Sequence, residues 1–117
     1  MEVKRGEIYF ANLGDSSYNL NSEQEGFRPV LILQNDKGNQ YSSTTIVAAI
    51  TSQLAKTKLP THVSIQAAGL KKDSIILLEQ IRVVDKTRIN EFVGVADKQT
   101  MREVDKAIII SLGIGFR

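Results

Sequence analysis

Short segments in which apolar and polar residues alternate fill the first two thirds of the sequence, and they constrain the fold more than any other feature. In residues 7–13, Ile8 and Phe10 fall on one face of an extended chain, and Tyr9 and Ala11 fall on the other. Alternation with a period of two is typical of strands in a sheet. The segments predicted as strands are residues 7–13, 29–33, 44–50, 61–65, 74–81, 82–84 and 92–95.

The period of the apolar pattern changes near the end of the chain. From Met101, apolar residues recur at Val104, Ile108 and Leu112 with the spacing of an amphipathic helix, and the face formed by Met101, Val104 and Ile108 is predicted to be core rather than a partner site. Asp97 is available as the N-cap and Gly113 as the stop. No helical pattern lies between the strands. The sequence therefore predicts a mainly β fold with a C-terminal helix (α+β), in which the helix packs on a strongly bent sheet or small barrel.

Size and composition indicate one soluble globular domain, residues 1–117. The 117 residues are too few for two domains of ordinary size, and the apolar fraction of 42% and charged fraction of 24% are ordinary for a globular protein. A net charge of +2 permits nucleic-acid binding but does not argue for it. The longest apolar runs, such as residues 46–50, are too short to cross a membrane, and the N-terminus has no apolar signal core. We expect a cytoplasmic protein that binds no membrane.

Missing residues exclude several kinds of enzyme. The absence of cysteine excludes disulfides, thiolate metal sites and thiol catalysis. His62 is the only histidine, which excludes a two-histidine mechanism and a histidine-rich metal site. The only local pair of carboxylates is Glu23 and Glu25, whereas a two-metal nuclease needs a cluster. An enzyme with this sequence is predicted to work without a metal and without any other cofactor.

A long polar segment, residues 14–27, joins the first two predicted strands. It consists mainly of Gly, Asp, Ser, Asn, Glu and Gln, although two to five residues would be enough for a hairpin. Long loops in compact domains often carry function, so we expect part of the functional site here. A second polar stretch, residues 34–39, has the Asn, Asp and Gly residues of a tight turn, and a turn is predicted there.

Three side chains near strand ends are candidates for a site that binds a phosphate or a base. Arg28 ends the long loop and precedes Pro29, which restricts it to extended conformations, so its guanidinium is suited to bind a phosphate. Thr51 ends the third strand, and its hydroxyl can orient a phosphate oxygen if it faces the same surface. His62 alternates with the inward-pointing Val63 and is expected to face outward, as a general base, a base contact or an exposed strand residue. Arg28 and Thr51 are equally compatible with ordinary surface positions.

Three segments together resemble the MazF/PemK family of toxin endoribonucleases. Residues 5–10, RGEIYF, resemble the opening R-G-[DE]-[IV] strand of that family. Residues 22–30, SEQEGFRPV, resemble its S-E-Q-x-G-x-R-P signature, which is the specific part, and residues 47–53, VAAITSQ, are similar to its V-x-x-x-T-[ST] strand end. Further similarity to the branch of the family found in Gram-positive bacteria covers residues 34–36, 59–63 and 77–82.

The resemblance implies a small SH3-like barrel of the MazF/PemK/CcdB toxin type, and it implies roles for single positions. The family's catalytic arginine falls on Arg28 and its catalytic threonine on Thr51. Lys56, just after Thr51, is expected to hold a flanking phosphate of the RNA, and Asn35 carries an amide suited to reading a base. The positions that match residues lining the family's RNA groove are Ser22, Glu23, Gln24, Glu79 and Gln80.

The activity implied is sequence-specific, metal-independent cleavage of single-stranded mRNA by attack of the ribose 2′-hydroxyl on the adjacent phosphate. The products are a cyclic phosphate and a free 5′-hydroxyl. The general base stays open between Arg28, Glu23 and Glu25, because a guanidinium is protonated at neutral pH and is a poor base. The partners implied are single-stranded RNA, a second copy of the chain in a homodimer, a MazE-like antitoxin, and operator DNA only as a complex with that antitoxin.

Two departures from the family pattern concern the loop. Residues 14–21 form a longer stretch than usual, and Asn21 stands where the family usually has glycine. We expect both to affect the conformation of the loop and the cleavage sequence more than the reaction. Two rival hypotheses are a CcdB-like toxin that binds DNA gyrase without cleaving, and a non-catalytic nucleic-acid module. A phosphate-binding pair such as Arg28 and Thr51 argues against the gyrase binder.

Overall fold

The structure, a computed structural model, describes residues 2–14, 26–53, 58–67 and 69–115. Antiparallel pairing joins its strands into one sheet, in the order β4-β5-β3-β2-β1-β6. A mainly β fold with one long helix at its C-terminal end is therefore confirmed. The elements are β1 (Glu7–Asn12), β2 (Phe27–Ile32), α1 (Asp36–Tyr41), β3 (Thr44–Thr51), β4 (His62–Ile65), β5 (Ser74–Asp85), a 3-10 turn (Lys86–Arg88), β6 (Ile89–Val95) and α2 (Lys98–Leu112).

The sheet buries side chains on both of its faces. On the face that carries α2, here called the back face, Ile8 and Leu31 pack with Val104 of the helix. The opposite face, here called the front face, buries Tyr9 and Ala11 of β1, so the alternation predicted for this strand is confirmed. Further buried residues of the front face are Val30, Ile32, Val47, Ala49, Ile75, Leu77 and Val84.

The long helix α2 has the predicted caps and the predicted core face. The Asp97 side chain accepts a hydrogen bond from Thr100 N, and Gly113 ends the helix in a left-handed conformation with φ 69°. Val104 is fully buried, and Met101 and Ile108 pack partly buried against the same core. Among the described residues, neither helix has the length and apolar character that a membrane crossing requires.

The turn predicted at residues 34–39 is wrong, because this stretch begins the short helix α1. The Asn35 side chain accepts a hydrogen bond from Gly38 N at 2.8 Å and so caps this helix, while its use in reading a base stays a prediction. The buried Asn39 then fixes α1 to the sheet through a 2.7 Å hydrogen bond from Thr45 Oγ1. Asn and Asp residues favour helix N-caps as strongly as turns, which explains the error.

The two strands predicted at residues 74–81 and 82–84 are one continuous strand, β5. The strand pairs with β3 along both of its halves, from Thr51 opposite Ile75 to Thr44 opposite Asp85. The register shifts between Ala48 and Ala49, in the middle of the ladder. Pairing with β3, which is distant in sequence, keeps β5 continuous across this irregularity. A local sequence pattern cannot predict such pairing.

The two ends of the β1–β2 connection meet at a neck formed by Gly14 and Gly26. The Leu13 amide donates a hydrogen bond to Gly26 O at 2.9 Å. Gly26 has a φ of +94°, and a Cβ at this position would lie 2.2 Å from Gly14 O. Only glycine fits such a position without strain. The connection therefore leaves the sheet and returns to it at one point, beside the start of β2.

We expect Gly26→Ala to lower the free energy of unfolding by more than about 2 kcal/mol. A side chain in the left-handed region costs roughly 1–2 kcal/mol, and here the new methyl group would also clash with Gly14 O. Gly113→Ala is the matched control, because its φ is also positive while nothing lies within 4 Å of the new Cβ. Urea unfolding of both variants measures the difference. Equal losses would contradict a closed neck.

Candidate functional site

Arg28 and Thr51 lie at the same end of the neighbouring strands β2 and β3. The β2–β3 ladder pairs Val30 with Ala49, and the same register, continued by two residues, sets Arg28 opposite Thr51. Opposite residues of an antiparallel pair point to the same face, with Cα atoms about 4.5–5.5 Å apart. The guanidinium and the hydroxyl thus share the front face, at the end of the sheet where β2 begins and β3 ends. Their role in the reaction stays a prediction.

Both side chains have hydrogen-bond donors available for a ligand. Arg28 is half-buried, and within the described part of the chain it forms no hydrogen bond and no ion pair. Thr51 Oγ1 accepts a hydrogen bond from the Gln53 backbone N–H at 3.1 Å, so its own proton is directed elsewhere and can be donated. Donors fixed in this way favour an anion, and they favour most a group whose negative charge increases during a reaction.

The imidazole of His62 is held by both of its nitrogens. Nδ1 accepts a hydrogen bond from Leu59 N–H at 3.3 Å, and Nε2 lies 3.0 Å from Glu79 Oε2. Because Nδ1 acts as acceptor, the proton is assigned to Nε2, which donates to the carboxylate. The side chain is only 5% exposed. The predicted alternation of His62 with the buried Val63 is confirmed, whereas an exposed ring is wrong, since the ring is covered by its interactions with Leu59 and Glu79.

Thr61 completes the surroundings of the Glu79 carboxylate. Its Oγ1 donates a hydrogen bond to Glu79 Oε1 at 2.9 Å. Burial raises the pKa of Glu79, but hydrogen bonds from its own backbone amide, from His62 and from Thr61 lower it more, so the pKa lies below its usual value. The result is an ionised carboxylate, fixed through both oxygens, whose side chain is still 33% exposed.

Glu79 and Gln80 lie at an irregularity in β5. The ladder with β3 shifts register between Ala48 and Ala49, which leaves residues 78–80 as extra residues of β5. Bulges of this kind re-aim side chains and are common beside functional sites. Both side chains are exposed. Their use in binding RNA stays a prediction.

Glu79 is separated from the Arg28–Thr51 pair along the strand. Thr51 is paired with Ile75, and Glu79 follows Ile75 by four residues of β5. The irregularity at residues 78–80 lies within this stretch, so the separation is shorter than the span of four regular strand residues, which is about 13 Å. The structure therefore brings Arg28 and Thr51 together and holds Glu79 at a distance suited to another part of an extended ligand.

Four predicted site residues, Ser22, Glu23, Gln24 and Lys56, lie outside the described residues, as do Glu25 and Asn21. The segments that contain them connect β1 with β2 and β3 with β4. Arg28 is the second residue of β2, and Thr51 is the last residue of β3. The described ends of both segments therefore adjoin the Arg28–Thr51 pair. The roles of the six residues stay predictions.

Sequence reasoning missed Thr61 as a partner of Glu79. The two residues are 18 positions apart, and only the pairing of β4 with β5 brings them together, so no local signal points to their contact. Among the residues that the structure describes, no group of three or more His, Asp or Glu side chains is arranged to hold a metal ion.

We expect His62→Ala to raise the pKa of Glu79, because the carboxylate loses the hydrogen bond from Nε2. Since the pKa of Glu79 is lowered in the folded protein, its stabilising effect is present above that pKa and is lost as the pH falls through it. The difference in Tm between wild type and variant should therefore narrow on acidification. NMR titration of the side-chain carboxyl carbon measures the pKa, with Ser64→Ala, on the same face of β4, as control. An unchanged Glu79 pKa would contradict the assigned contact.

Solved structures of low sequence identity share this fold. An endoribonuclease from a mycobacterial species matches with a TM-score of 0.79 and 19% identity, over 100% of this chain and 97% of that chain. A mycobacterial endoribonuclease in complex with its cognate antitoxin matches with a TM-score of 0.78 and 20% identity, over 98% of this chain and 99% of that chain.

The sequence comparisons identify the family. Endoribonuclease EndoA of Bacillus subtilis (strain 168) is 53% identical over 116 residues, which cover 97% of both chains. A family model described as PemK-like, MazF-like toxin of type II toxin-antitoxin system matches residues 4–112. The match extends from before β1 to the last residue of α2, and so includes the whole sheet and both candidate catalytic positions. The chain therefore belongs to the family of PemK-like and MazF-like toxins of type II toxin-antitoxin systems.

Proposed function

We propose that this protein is a toxin endoribonuclease that cleaves single-stranded mRNA at short specific sequences. The observation that carries the proposal is the register of β2 on β3, which, continued by two residues beyond the pair of Val30 and Ala49, places Arg28 across from Thr51 at the ends of the two strands. The name of the relative from Bacillus subtilis, an endoribonuclease, supports the same activity. The gyrase-binding alternative has no evident use for a phosphate-binding pair.

The proposed reaction is an attack of the ribose 2′-hydroxyl on the adjacent phosphorus. The 2′-oxygen loses its proton and forms a bond to phosphorus, while the bond from phosphorus to the 5′-oxygen breaks and that oxygen takes up a proton. Arg28 stabilises the negative charge that grows on the phosphoryl oxygens, and Thr51 donates a hydrogen bond to one of them. The products are a cyclic phosphate and a 5′-hydroxyl.

The proposal includes no metal ion and no cofactor. The substrate brings its own nucleophile, so no bound water has to be activated. Charge on the phosphate is balanced by the guanidinium of Arg28, which remains protonated at neutral pH. The same argument explains a preference for RNA, because DNA lacks the 2′-hydroxyl.

Residues around this pair are proposed to bind and select the RNA. Unpaired bases of a single strand offer edges that carboxylate and amide groups can read. Glu79 is suited to accept hydrogen bonds from a base, since His62 and Thr61 fix its carboxylate. The remaining RNA-binding residues of the proposal are Gln80, Ser22, Glu23, Gln24 and Lys56.

An antitoxin is proposed as the regulatory partner. A structural neighbour is described as an endoribonuclease in complex with its cognate antitoxin, and the chain belongs to a toxin family of type II systems. A MazE-like protein that covers the Arg28–Thr51 pair would exclude RNA. The proposal also includes a cytoplasmic location, where mRNA is available, and binding to operator DNA only as a complex with the antitoxin.

A homodimer is proposed through an apolar surface at the end of α2. Leu112 and Val83 are each 60% exposed. Between the helix and the sheet lies a cavity of about 440 Å³, lined by Leu112, Ile108 and Ile81 among others. Exposed apolar surface of this kind commonly marks an interface between proteins. A second copy of the chain would cover it.

We expect Arg28→Ala and Thr51→Ala each to lower the cleavage rate by about 10²–10³-fold while the melting temperature changes little. The assay incubates purified protein with a long RNA in excess EDTA and maps the new 5′ ends. Arg102→Ala, on the exposed side of α2, is the control and should cut at the wild-type rate. A substrate with 2′-deoxyribose at the cleaved position should stay intact.

Two outcomes of this assay would contradict the proposal. Intact RNA from folded, antitoxin-free wild type would favour the gyrase binder. Equal cleavage by wild type and Arg28→Ala would exclude Arg28 from the reaction.

We expect Leu112→Asp to halve the mass in solution, because a buried carboxylate opposes apolar contact between two copies. Light scattering after size exclusion measures the mass. Val95→Asp is the matched control, because Val95 is 58% exposed and precedes the opposite end of α2, about 22 Å from Leu112. A dimer that survives Leu112→Asp, or a wild-type monomer, would exclude this interface.

A further inference from the structure

A pocket lies beside Thr51 at the end of the sheet, mainly on the face opposite to that of Arg28. Its volume is about 370 Å³, within the range of about 300–1,000 Å³ that ligand pockets commonly have. Phe10, Pro29 and Leu70 form its apolar walls. Thr51, Lys71 and Lys72 belong to its polar side. We refer to it as the flanking pocket.

The flanking pocket lies mainly on the back face of the sheet. Phe10 alternates with the front-face residues Tyr9 and Ala11, and it is paired with Pro29 of β2. Thr51, on β3, is shared by the pocket and by the Arg28–Thr51 pair. A ligand that passes over the ends of β2 and β3 can therefore contact the pair and enter the pocket at once.

The two lysines give the pocket a positive side. Both are exposed, and within the described residues neither forms an ion pair or a hydrogen bond through its side chain. The nearest carboxylate in sequence, Asp73, accepts a 2.6 Å hydrogen bond from Gln66. The positive charges of Lys71 and Lys72 therefore remain available to an anion.

The turn that carries the lysines is fixed to the sheet. Ser74 Oγ donates a hydrogen bond to Lys72 O at 2.9 Å. Gly69 lies so close to β6 that a Cβ there would be 2.0 Å from Val93 O. The half-buried Leu70 packs against the main core. The pocket therefore needs little rearrangement to bind a ligand.

We propose that the flanking pocket binds one base of the RNA next to the scissile phosphate, with Lys71 and Lys72 on the phosphate beyond it. An apolar slot with an aromatic wall suits a nucleobase, and a pair of free ammonium groups suits the adjoining backbone. This inference rests on the proposed function, because it assigns a subsite of the same substrate. The site is tolerant of sequence, since stacking requires only a flat ring.

A binding assay tests the base. The probe is an RNA oligonucleotide centred on a mapped cleavage site, with 2′-deoxyribose at the cleaved position so that it binds without reaction. Abasic substitutions are scanned along it. We expect wild type to lose about fivefold or more in affinity at one position flanking the cleaved bond, and Phe10→Leu to lose much less there. Equal penalties in both proteins at every position would overturn the proposal.

The lysines are tested by salt dependence, with variants confined to the surface. For single strands, each neutralised phosphate contributes about 0.7 to the slope of log affinity against log salt. Because both lysines are placed on one phosphate, Lys71→Gln with Lys72→Gln should reduce the slope by about 0.7. Lys98→Gln with Lys106→Gln, on exposed positions of α2, changes the net charge equally and should reduce it much less. Equal slopes for the two double variants would overturn the phosphate contact.

The two proposals fail in different ways. Wild type that neither binds nor cuts RNA removes the proposed function and the pocket's role together. If wild type cuts RNA and Arg28→Ala does not, the proposed function stands. If both pocket tests then give the contradicting result, only the role of the pocket is excluded.

Discussion

The register of β2 on β3 is the constraint on which the candidate site depends. Both strands bury residues on both faces, so Leu31 opposite Ala48 faces the helix while Val30 opposite Ala49 faces the front. A slip by one residue would move every one of these side chains to the wrong face. Packing of the core therefore fixes the register, and the register sets Arg28 opposite Thr51 without any contact between the two side chains themselves.

Most of the fold is encoded locally and could be predicted from the sequence. Alternation in β1 and the helical period from Met101 report burial directly, because each depends on neighbouring residues of one element. The continuity of β5 could not be read this way, since it depends on pairing with β3. Helix α1 was not predicted for another reason. The Asn35 side chain caps the helix by accepting a hydrogen bond from Gly38 N, but the same residue types also form turns, so the sequence does not distinguish the two.

The site was less predictable, because its contacts join distant parts of the chain. The resemblance to a family was enough to single out Arg28 and Thr51. Their positions across from each other could be recognised only from the pairing of strands in the sheet. The contact of His62 with Glu79 spans 17 positions, and through it a residue predicted as exposed becomes a half-buried support for a carboxylate. In the sequence, Lys71 and Lys72 resemble ordinary surface lysines. Only the structure shows that the turn carrying them lies beside Thr51.

The proposed function requires affinity for a polyanion and selection among bases, and the fold separates the two physically. Phosphate contacts give affinity without sequence information, while contacts to base edges give selectivity. Cationic Arg28, Lys71 and Lys72 lie around the ends of the strands, where a backbone can pass. Glu79 lies further along β5, four residues beyond Ile75, and its ionised carboxylate repels phosphate but accepts hydrogen bonds from amino groups of bases.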